Sequence, residues 1–204
     1  YKEYLTGPQC RYLPLCIDEI PENRAPLNTN QITVMGRLSV EKGYDDMLKV
    51  FQKVLVQKPD AKLNILGDGD QRTTLSLLAD QLGISKSVVF HGNTVGKAKL
   101  QIMENTSVFV TTSHYESFGL VLLEAMSYGI PCVSFDSAKG SLDIIDDGKD
   151  GFIIKDRNLD AMANKIVELL NKTTKTVQNN AIKKAKKYSY NLSLIHISEP
   201  TRQA

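Results

Sequence analysis

Short apolar runs alternate with amphipathic helical patterns along most of this chain, and this alternation restricts the fold more than any other feature. The apolar runs predict strands at residues 32–36, 63–66, 88–90, 107–112, 132–135 and 151–154. Helical spacing predicts helices at residues 43–58, 71–82, 97–104 and 159–170, and a further apolar helix begins after residue 117. Strands that are buried on both faces and alternate with helices form a parallel sheet. The sequence therefore predicts an α/β domain with a Rossmann-like, doubly wound parallel sheet.

The stretch S-H-Y-E-S-F-G-L-V-L-L-E-A-M-S-Y, from Ser113 to Tyr128, joins one predicted strand to a strongly apolar helix. Glu124 lies inside that helix among apolar neighbours, where an ionised carboxylate is costly unless a charged group pairs with it. Glu116 lies in the polar turn that precedes the helix. We therefore expect a partner for Glu124, and we expect the two carboxylates to be able to accept hydrogen bonds from hydroxyl groups.

Ser117 is a favourable N-cap residue, so the sequence predicts that the helix begins directly after it. The amides of Phe118, Gly119 and Leu120 would then be unpaired donors at the positive end of the helix dipole. Gly119 would let a ligand approach the backbone closely. An anion site beside two carboxylates is the outline of a site for a sugar phosphate.

The string E-S-F-G-L-V-L-L-E-A-M-S-Y-G-I-P-C-V, which begins at Glu116, resembles the signature of retaining nucleotide-sugar glycosyltransferases of the GT-B fold. These are the glycogen-synthase-like enzymes, known as glycosyl transferases group 1. The resemblance implies that the chain is the C-terminal, donor-binding half of a GT-B fold. It also implies that Glu124 holds the ribose hydroxyls and that Glu116 holds hydroxyls of the donor sugar. The alternative is a buried helix whose glutamate meets a core arginine or lysine.

The loop G-R-L-S-V-E-K-G runs from Gly36 to Gly43 after the first predicted strand, at the edge where ligands bind in open α/β sheets. Arg37 offers a planar fork and Lys42 a point charge for a diphosphate. In the family that the chain resembles, these two residues and the amides of 118–120 neutralise the nucleotide diphosphate, usually in place of a metal. We therefore expect no metal and no organic cofactor. The alternative is surface charge beside the start of a helix.

Two further segments contribute secondary candidates. The turn G-D-G-D-Q-R contains Gly67 and Gly69 but lacks the third glycine of a dinucleotide fingerprint, and Asp80 lies on a predicted helix where that fingerprint needs an acid after a strand. The resemblance places this turn beside the nucleotide, and the alternative is a plain strand-to-helix turn. The segment V-V-F-H-G-N resembles the strand that receives the base in the family, and we interpret its His91 as a structural or rim residue.

Composition excludes several other classes of protein. The chain has 204 residues, a formal net charge of +2 and no tryptophan, which gives no basis for nucleic-acid binding. Cys10, Cys16 and Cys132 show no metal-ligand spacing and cannot all pair, as expected for a reducing compartment. No stretch is long and apolar enough to span a bilayer. We therefore expect a cytoplasmic protein, and a lipid-linked acceptor would bring the full-length enzyme to the inner face of the cytoplasmic membrane.

The chain divides into three predicted parts. Residues 1–30 form a strand, at 11–18, and a connection from a missing N-terminal domain, and residues 31–193 form the nucleotide-sugar-binding domain. Residues 194–204 resemble read-through of cloning sequence and are predicted to be a non-native tail. Residues 180–190 predict a helix with Ile182 and Ala185 inward and lysines outward, either as a solvated face or as a patch for anionic lipid. The outward lysines are Lys183, Lys184, Lys186 and Lys187.

The function implied by the resemblance is transfer of a sugar, with retention of configuration, from a nucleotide-diphosphate donor. The donor is expected to be a UDP-sugar and the acceptor a glycan or a lipid-linked molecule, as in the synthesis of bacterial surface polysaccharides. We expect a hexosyltransferase-type enzyme whose fragment is inactive by itself, because the acceptor site would belong to the missing domain. The alternatives are a GT-B-type nucleotide-sugar epimerase and a non-catalytic nucleotide-binding module.

Overall fold

The structure of this protein is a computed structural model that describes residues 20–21, 23–172 and 175–188. The strand predicted at residues 11–18 and the tail predicted at residues 194–204 both lie outside the described residues. Among the residues that are described, no helix is long and apolar enough to cross a membrane.

The strands of the described chain form one sheet of six parallel strands in the order β3-β2-β1-β4-β5-β6. All six predicted strands are present, and their bounds differ from the predicted ones by at most two residues. The strands are β1 (Gln31–Met35), β2 (Lys62–Leu66), β3 (Val88–Gly92), β4 (Val108–Thr111), β5 (Cys132–Phe135) and β6 (Gly151–Ile154). Strands β4 and β5 are buried at every position, so both of their faces lie inside the protein. Their sequences therefore do not alternate between inward apolar and outward polar residues.

Helices cover both faces of this sheet. They are α1 (Tyr44–Gln57), α2 (Arg72–Gln81), α3 (Gly96–Glu104), α4 (Leu120–Ser127), α5 (Lys139–Ile144), α6 (Leu159–Asn171) and α7 (Lys175–Lys186). One apolar cluster joins the sheet to α1, α2 and α6, and a second joins the other face to α3, α4, α5 and α7. The predicted doubly wound, Rossmann-like architecture is therefore confirmed, although α5 was not predicted.

Helix α7 packs its apolar side on α4, and Ile182 and Ala185 face inward as predicted. The prediction was wrong for Lys184, whose side chain is only 12% exposed and not solvated. Its Nζ lies 3.0 Å from Asp146 Oδ2 and 3.4 Å from Asp150 Oδ2. Docking on α4 brings this flank of α7 against the α5–β6 connection, whose acids pair with the lysine. Helical periodicity alone could not show that neighbour.

The turns that follow β1 and β2 approach each other so closely that only glycine fits between them. A Cβ on Gly67 would overlap the carbonyl oxygen of Gly36, and a Cβ on Gly69 would overlap that of Leu38. Gly36 also donates a backbone hydrogen bond of 2.9 Å to Leu66 O. The glycines of the G-D-G turn therefore have a packing role at the carboxyl edge of the sheet.

A single arginine connects four segments at the same edge. The Arg157 guanidinium donates to Thr112 O at 3.0 Å, to Ser113 O at 3.3 Å and to Ser137 Oγ at 3.0 Å. Its Nη2 also lies 2.5 Å from Asp46 Oδ2 at the start of α1. The carbonyls of Thr112 and Ser113 lie just beyond β4, where strand pairing has ended. The bonds from Arg157 to these carbonyls fix the end of β4 relative to α1 and to the loop after β5.

The backbone that presents this arginine is unusual. Asp156 and Arg157 both adopt left-handed conformations, with φ of 56° and 46°, which residues other than glycine seldom adopt. Such conformations persist where the surrounding contacts determine them. The several bonds of the Arg157 side chain are contacts of that kind, so the turn after β6 and the end of β4 stabilise each other.

Substitution of Gly67 by alanine is expected to lower the free energy of unfolding by about 3 kcal/mol or more, because the new Cβ would force apart the turns after β1 and β2. Gly83→Ala is the matched control, since Gly83 also has positive φ but no atom within 4 Å of the added Cβ. We expect the control to cost about 1 kcal/mol, the penalty of a left-handed residue. Urea unfolding measures both, and equal losses would contradict the packing role.

Substitution of Arg157 by methionine is expected to destabilise the fold by about 2–3 kcal/mol, because it leaves the buried carbonyls of Thr112 and Ser113 without this donor and removes one of the two cations that pair with Asp46. Methionine retains the apolar contact with the Phe135 ring, whose centroid lies 4.6 Å from the guanidinium carbon. Lys155→Met in the same turn is the control, since Lys155 is exposed and is expected to change stability by less than about 0.5 kcal/mol. Similar unfolding free energies for the two variants would contradict the stabilising role of the Arg157 side chain.

Candidate functional site

The candidate site lies where β1 and β4 are neighbours in the middle of the sheet. The chain leaves β1 towards β2 on one side and leaves β4 towards β5 on the other, so the order of strands reverses between them. A crevice forms at the carboxyl ends of the strands at such a reversal, and ligands of open α/β sheets bind there. The loop after β1 and the loop after β4 carry most of the predicted site residues.

These two loops are fastened together through their backbones. Gly43 has a φ of 60°, and a Cβ at this position would overlap the carbonyl oxygen of Thr112. Thr112 Oγ1 donates to Lys42 O at 3.3 Å, and the amide of His114 donates to Glu41 O at 2.8 Å. The short 3-10 turn Val40–Lys42 is therefore held directly beside the segment that leads to Glu116.

Lys42 and Glu116, predicted from separate motifs, are in direct contact. Lys42 Nζ lies 2.7 Å from Glu116 Oε2, and the two side chains are 25% and 16% exposed. An ammonium group has three donors and a carboxylate has two acceptor oxygens, so each group keeps capacity for a ligand. The structure thus joins a basic and an acidic group that can recognise, respectively, a phosphate and a hydroxyl.

Glu124 has the charged partner that its apolar helix predicted. Its Oε1 lies 2.5 Å from Nζ of Lys99, which comes from α3. The carboxylate is not fully buried, because its side chain is 26% exposed. This contact also matches the alternative interpretation, a helix glutamate paired with a lysine, so it does not by itself assign a ligand to Glu124.

The predicted start of the helix is wrong. Helix α4 begins at Leu120, and its N-cap is Gly119 with a φ of 84°, not Ser117. Phe118 instead packs edge-on against Tyr188, with ring centroids 6.2 Å apart. Gly119 follows Phe118 in a left-handed conformation, which favours glycine. Of the three predicted amides, only that of Leu120 belongs to the first turn of α4.

A cavity of about 490 Å³ opens at the ends of β1, β2 and β3. Three predicted site residues line it, namely Gly36, Arg37 and Gly67, and Arg37 is exposed there. The other lining residues are Met35, Leu66, Asp68, Asn93, Thr94 and Val95. The cavity is wide enough for a small organic ligand. Gly69 and His91 do not line it.

His91 lies on the edge strand β3, and its side chain contacts the neighbouring strand β2 and does not line the cavity. Its Nε2 is 2.9 Å from Asn64 Oδ1, and Asn64 Nδ2 donates to Gln31 Oε1 at 2.9 Å. Partial desolvation lowers the pKa of His91, which favours the neutral form of the ring. These contacts agree with the interpretation of His91 as a structural or rim residue.

Several residues at this edge were missed by sequence reasoning. Lys99 contacts Glu124, Arg157 contacts the loop after β4, and Thr94 lines the cavity next to Asn93, the last residue of the segment expected to receive the base. The two basic residues lie far along the chain from the groups they contact, so no local spacing connects them. A polar pair after a predicted strand, at Asn93 and Thr94, was the one usable signal, because strand ends meet at the same edge.

One cluster could be considered for a metal ion. Asp45, Asp46 and His114 bring ligand atoms within 4.8 Å of one another. Lys49 pairs with both carboxylates, at 2.9 and 3.4 Å, and Arg157 pairs with Asp46. Because cations of the protein already balance these acids, we assign no metal to the cluster.

Comparison with known proteins identifies transferases as relatives. Poly(glycerol-phosphate) alpha-glucosyltransferase from Bacillus subtilis is 28% identical over 184 residues, which are 87% of this chain and 27% of that protein. A variant of TarM from Staphylococcus aureus, solved with Fondaparinux, alpha-GlcNAc-glycerol and UDP, matches with a TM-score of 0.74 at 25% identity. That match covers 87% of this chain and 36% of TarM.

A third comparison shows the extent of the fold. The C-terminal domain of a glycosyl transferase group 1 family protein, LpcC from Francisella tularensis, matches with a TM-score of 0.70 at 22% identity. The match covers 83% of this chain and 95% of that domain. The fold is thus the Rossmann-like half of a GT-B glycosyltransferase.

The chain spans less than half of the length of the curated relatives that it matches. The family model described as glycosyl transferases group 1 matches residues 17–188, which include every element of the sheet. This chain therefore belongs to the glycosyl transferases group 1 family.

Proposed function

We propose that this chain is the donor-binding half of a retaining glycosyltransferase that moves a hexosyl group from UDP-sugar to a surface glycan or lipid-linked acceptor. The observation that carries the proposal is the contact of Lys42 with Glu116 at the strand reversal, beside the cavity that Arg37 lines. One set of loops there offers cations for a diphosphate and a carboxylate for sugar hydroxyls. The UDP bound to TarM and the name of the Bacillus subtilis relative support this choice of donor and reaction.

In this proposal Arg37 and Lys42 stabilise the diphosphate leaving group. Negative charge grows on the diphosphate as its bond to the sugar breaks, so fixed cations favour the transition state over the bound donor. Arg37 is exposed at the cavity and forms no ion pair with the other described residues, so its planar fork can turn towards two phosphate oxygens. The amide of Leu120, at the start of α4, adds a neutral donor. No metal is required.

Glu116 exchanges its partner when the donor binds. In the free protein its Oε2 is held by Lys42 at 2.7 Å. When the diphosphate attracts the ammonium group, that oxygen becomes available to hydroxyls of the donor sugar. Binding of the diphosphate and of the sugar would therefore favour each other. Glu124 accepts hydrogen bonds from the ribose, as its place in the family motif implies.

The remaining parts of the reaction belong to the partner half of the enzyme. The chain spans less than half of its curated relatives, so we propose that a preceding domain supplies the acceptor site and completes the active site. An acceptor carried on lipid would place the whole enzyme at the membrane surface. The relatives named above are transferases, which favours transfer of a sugar over its epimerisation.

UDP is expected to raise the unfolding temperature of the chain, whereas GDP and ADP raise it less. A ligand present at about one hundred times its dissociation constant stabilises a fold by roughly 2.7 kcal/mol, a shift of about 5–10 °C for a chain of this size. Glu124→Gln should reduce the shift, because the neutral amide is a weaker acceptor for hydroxyls. Glu168→Gln, on α6 and 61% exposed, is the control and should retain it. No shift with any nucleotide, in a folded sample, would contradict the proposal.

The chain by itself is expected to transfer no sugar, although it binds the donor. We would incubate it with labelled UDP-glucose or UDP-N-acetylglucosamine and a poly(glycerol phosphate) acceptor, alongside the full-length Bacillus subtilis relative as a positive control. The expected result is label in the polymer only with the relative, because the acceptor side of the site is not part of this chain. Transfer above the rate without protein would overturn the two-half assignment.

A further inference from the structure

Helices α3 and α4 are connected by an ion pair between Lys99 and Glu124. Lys99 Nζ lies 2.5 Å from Glu124 Oε1, and within the described residues it is the only ion-pair partner of this carboxylate. The two side chains are 29% and 26% exposed, so roughly three quarters of each is removed from water. A pair of this kind is less screened than a surface ion pair, and removal of one partner has a larger effect.

Helix α3 also connects Glu124 with the cavity. The segment immediately before α3, which includes Asn93, Thr94 and Val95, forms one wall of the cavity. Met35 lines the same cavity and packs in the apolar cluster that includes Val121, one turn before Glu124. The Lys99–Glu124 pair therefore joins α4 to the helix that directly follows this wall of the cavity.

A carboxylate that binds two neighbouring hydroxyls must be held in one orientation and must lose part of its hydration. Glutamate has several freely rotating bonds, so an unrestrained side chain loses conformational entropy on binding. A partly desolvated carboxylate also needs a compensating positive charge. Lys99 meets both needs, since it fixes Oε1 from the α3 side and leaves Oε2 to accept from a ligand.

We infer that Lys99 is a positioning residue for ribose recognition: by holding Glu124 in place, it determines how strongly the site distinguishes ribonucleotide from deoxyribonucleotide. This inference rests on the proposed function, in which Glu124 accepts hydrogen bonds from the ribose. Lys99 itself does not touch the nucleotide. A purely structural tie between α3 and α4 would alter stability without altering that distinction.

The test compares binding of UDP and 2′-deoxy-UDP by isothermal titration to the full chain and to Lys99→Met. Wild type is expected to prefer UDP by about tenfold, the value of one hydrogen bond to a charged group. In Lys99→Met the affinity for UDP should fall about tenfold while that for 2′-deoxy-UDP changes by less than about threefold, so the preference is lost. Lys99→Arg should restore it, because arginine keeps the positive charge.

Two controls and one substitute variant make the outcomes interpretable. Lys97→Met, on the same helix and exposed, should behave as wild type, and in a Glu124→Gln background Lys99→Met should have no further effect on UDP binding. If Lys99→Met does not fold, Lys99→Gln and the arginine variant carry the comparison. A preference for UDP that survives loss of the charge, or equal weakening of both nucleotides, overturns this inference alone. If wild type binds neither nucleotide, the proposed function falls and the inference falls with it.

Discussion

The site depends on the backbone contact between the loop after β1 and the loop after β4. Because Gly43 has no side chain, its Cα lies against the carbonyl of Thr112, and the hydrogen bonds of Thr112 and His114 complete the connection. Arg157 fixes the other side of the same β4 end. Residues separated by more than seventy positions, such as Lys42 and Glu116, meet only because these backbones cannot move apart.

Ion pairs are the second feature that organises the carboxyl edge of the sheet. Each glutamate of the family motif is balanced by a lysine from another element, Glu116 by Lys42 and Glu124 by Lys99. Neither pair is completely buried, so neither carries the full desolvation penalty of an interior ion pair. An arrangement of this kind keeps charged groups in fixed positions in the free protein and lets a ligand replace one partner without leaving a bare charge.

Periodicity predicted the sheet well, because the strands are short apolar runs between turn residues and most of them are buried, and Cys132–Phe135 and Gly151–Ile154 agree to the residue. It failed where a distant contact decides the local conformation. Ser117 is a good N-cap by type, but Phe118 packs on Tyr188, the chain turns at the left-handed Gly119, and the helix begins at Leu120. Lys184 was expected in solvent, but the acids of the α5–β6 connection lie beside it.

The sequence by itself determined the class of fold, the order of its elements, the family and the short motifs that carry charge to the carboxyl edge. These follow from local properties: hydrophobic period, glycine at turns, and the spacing of Glu116 and Glu124 on one segment. Only the tertiary structure decided which charges pair, which glycines are needed for packing and that Lys99 and Arg157 belong to the edge. Those facts depend on contacts between distant segments, and such contacts leave no spacing along the chain.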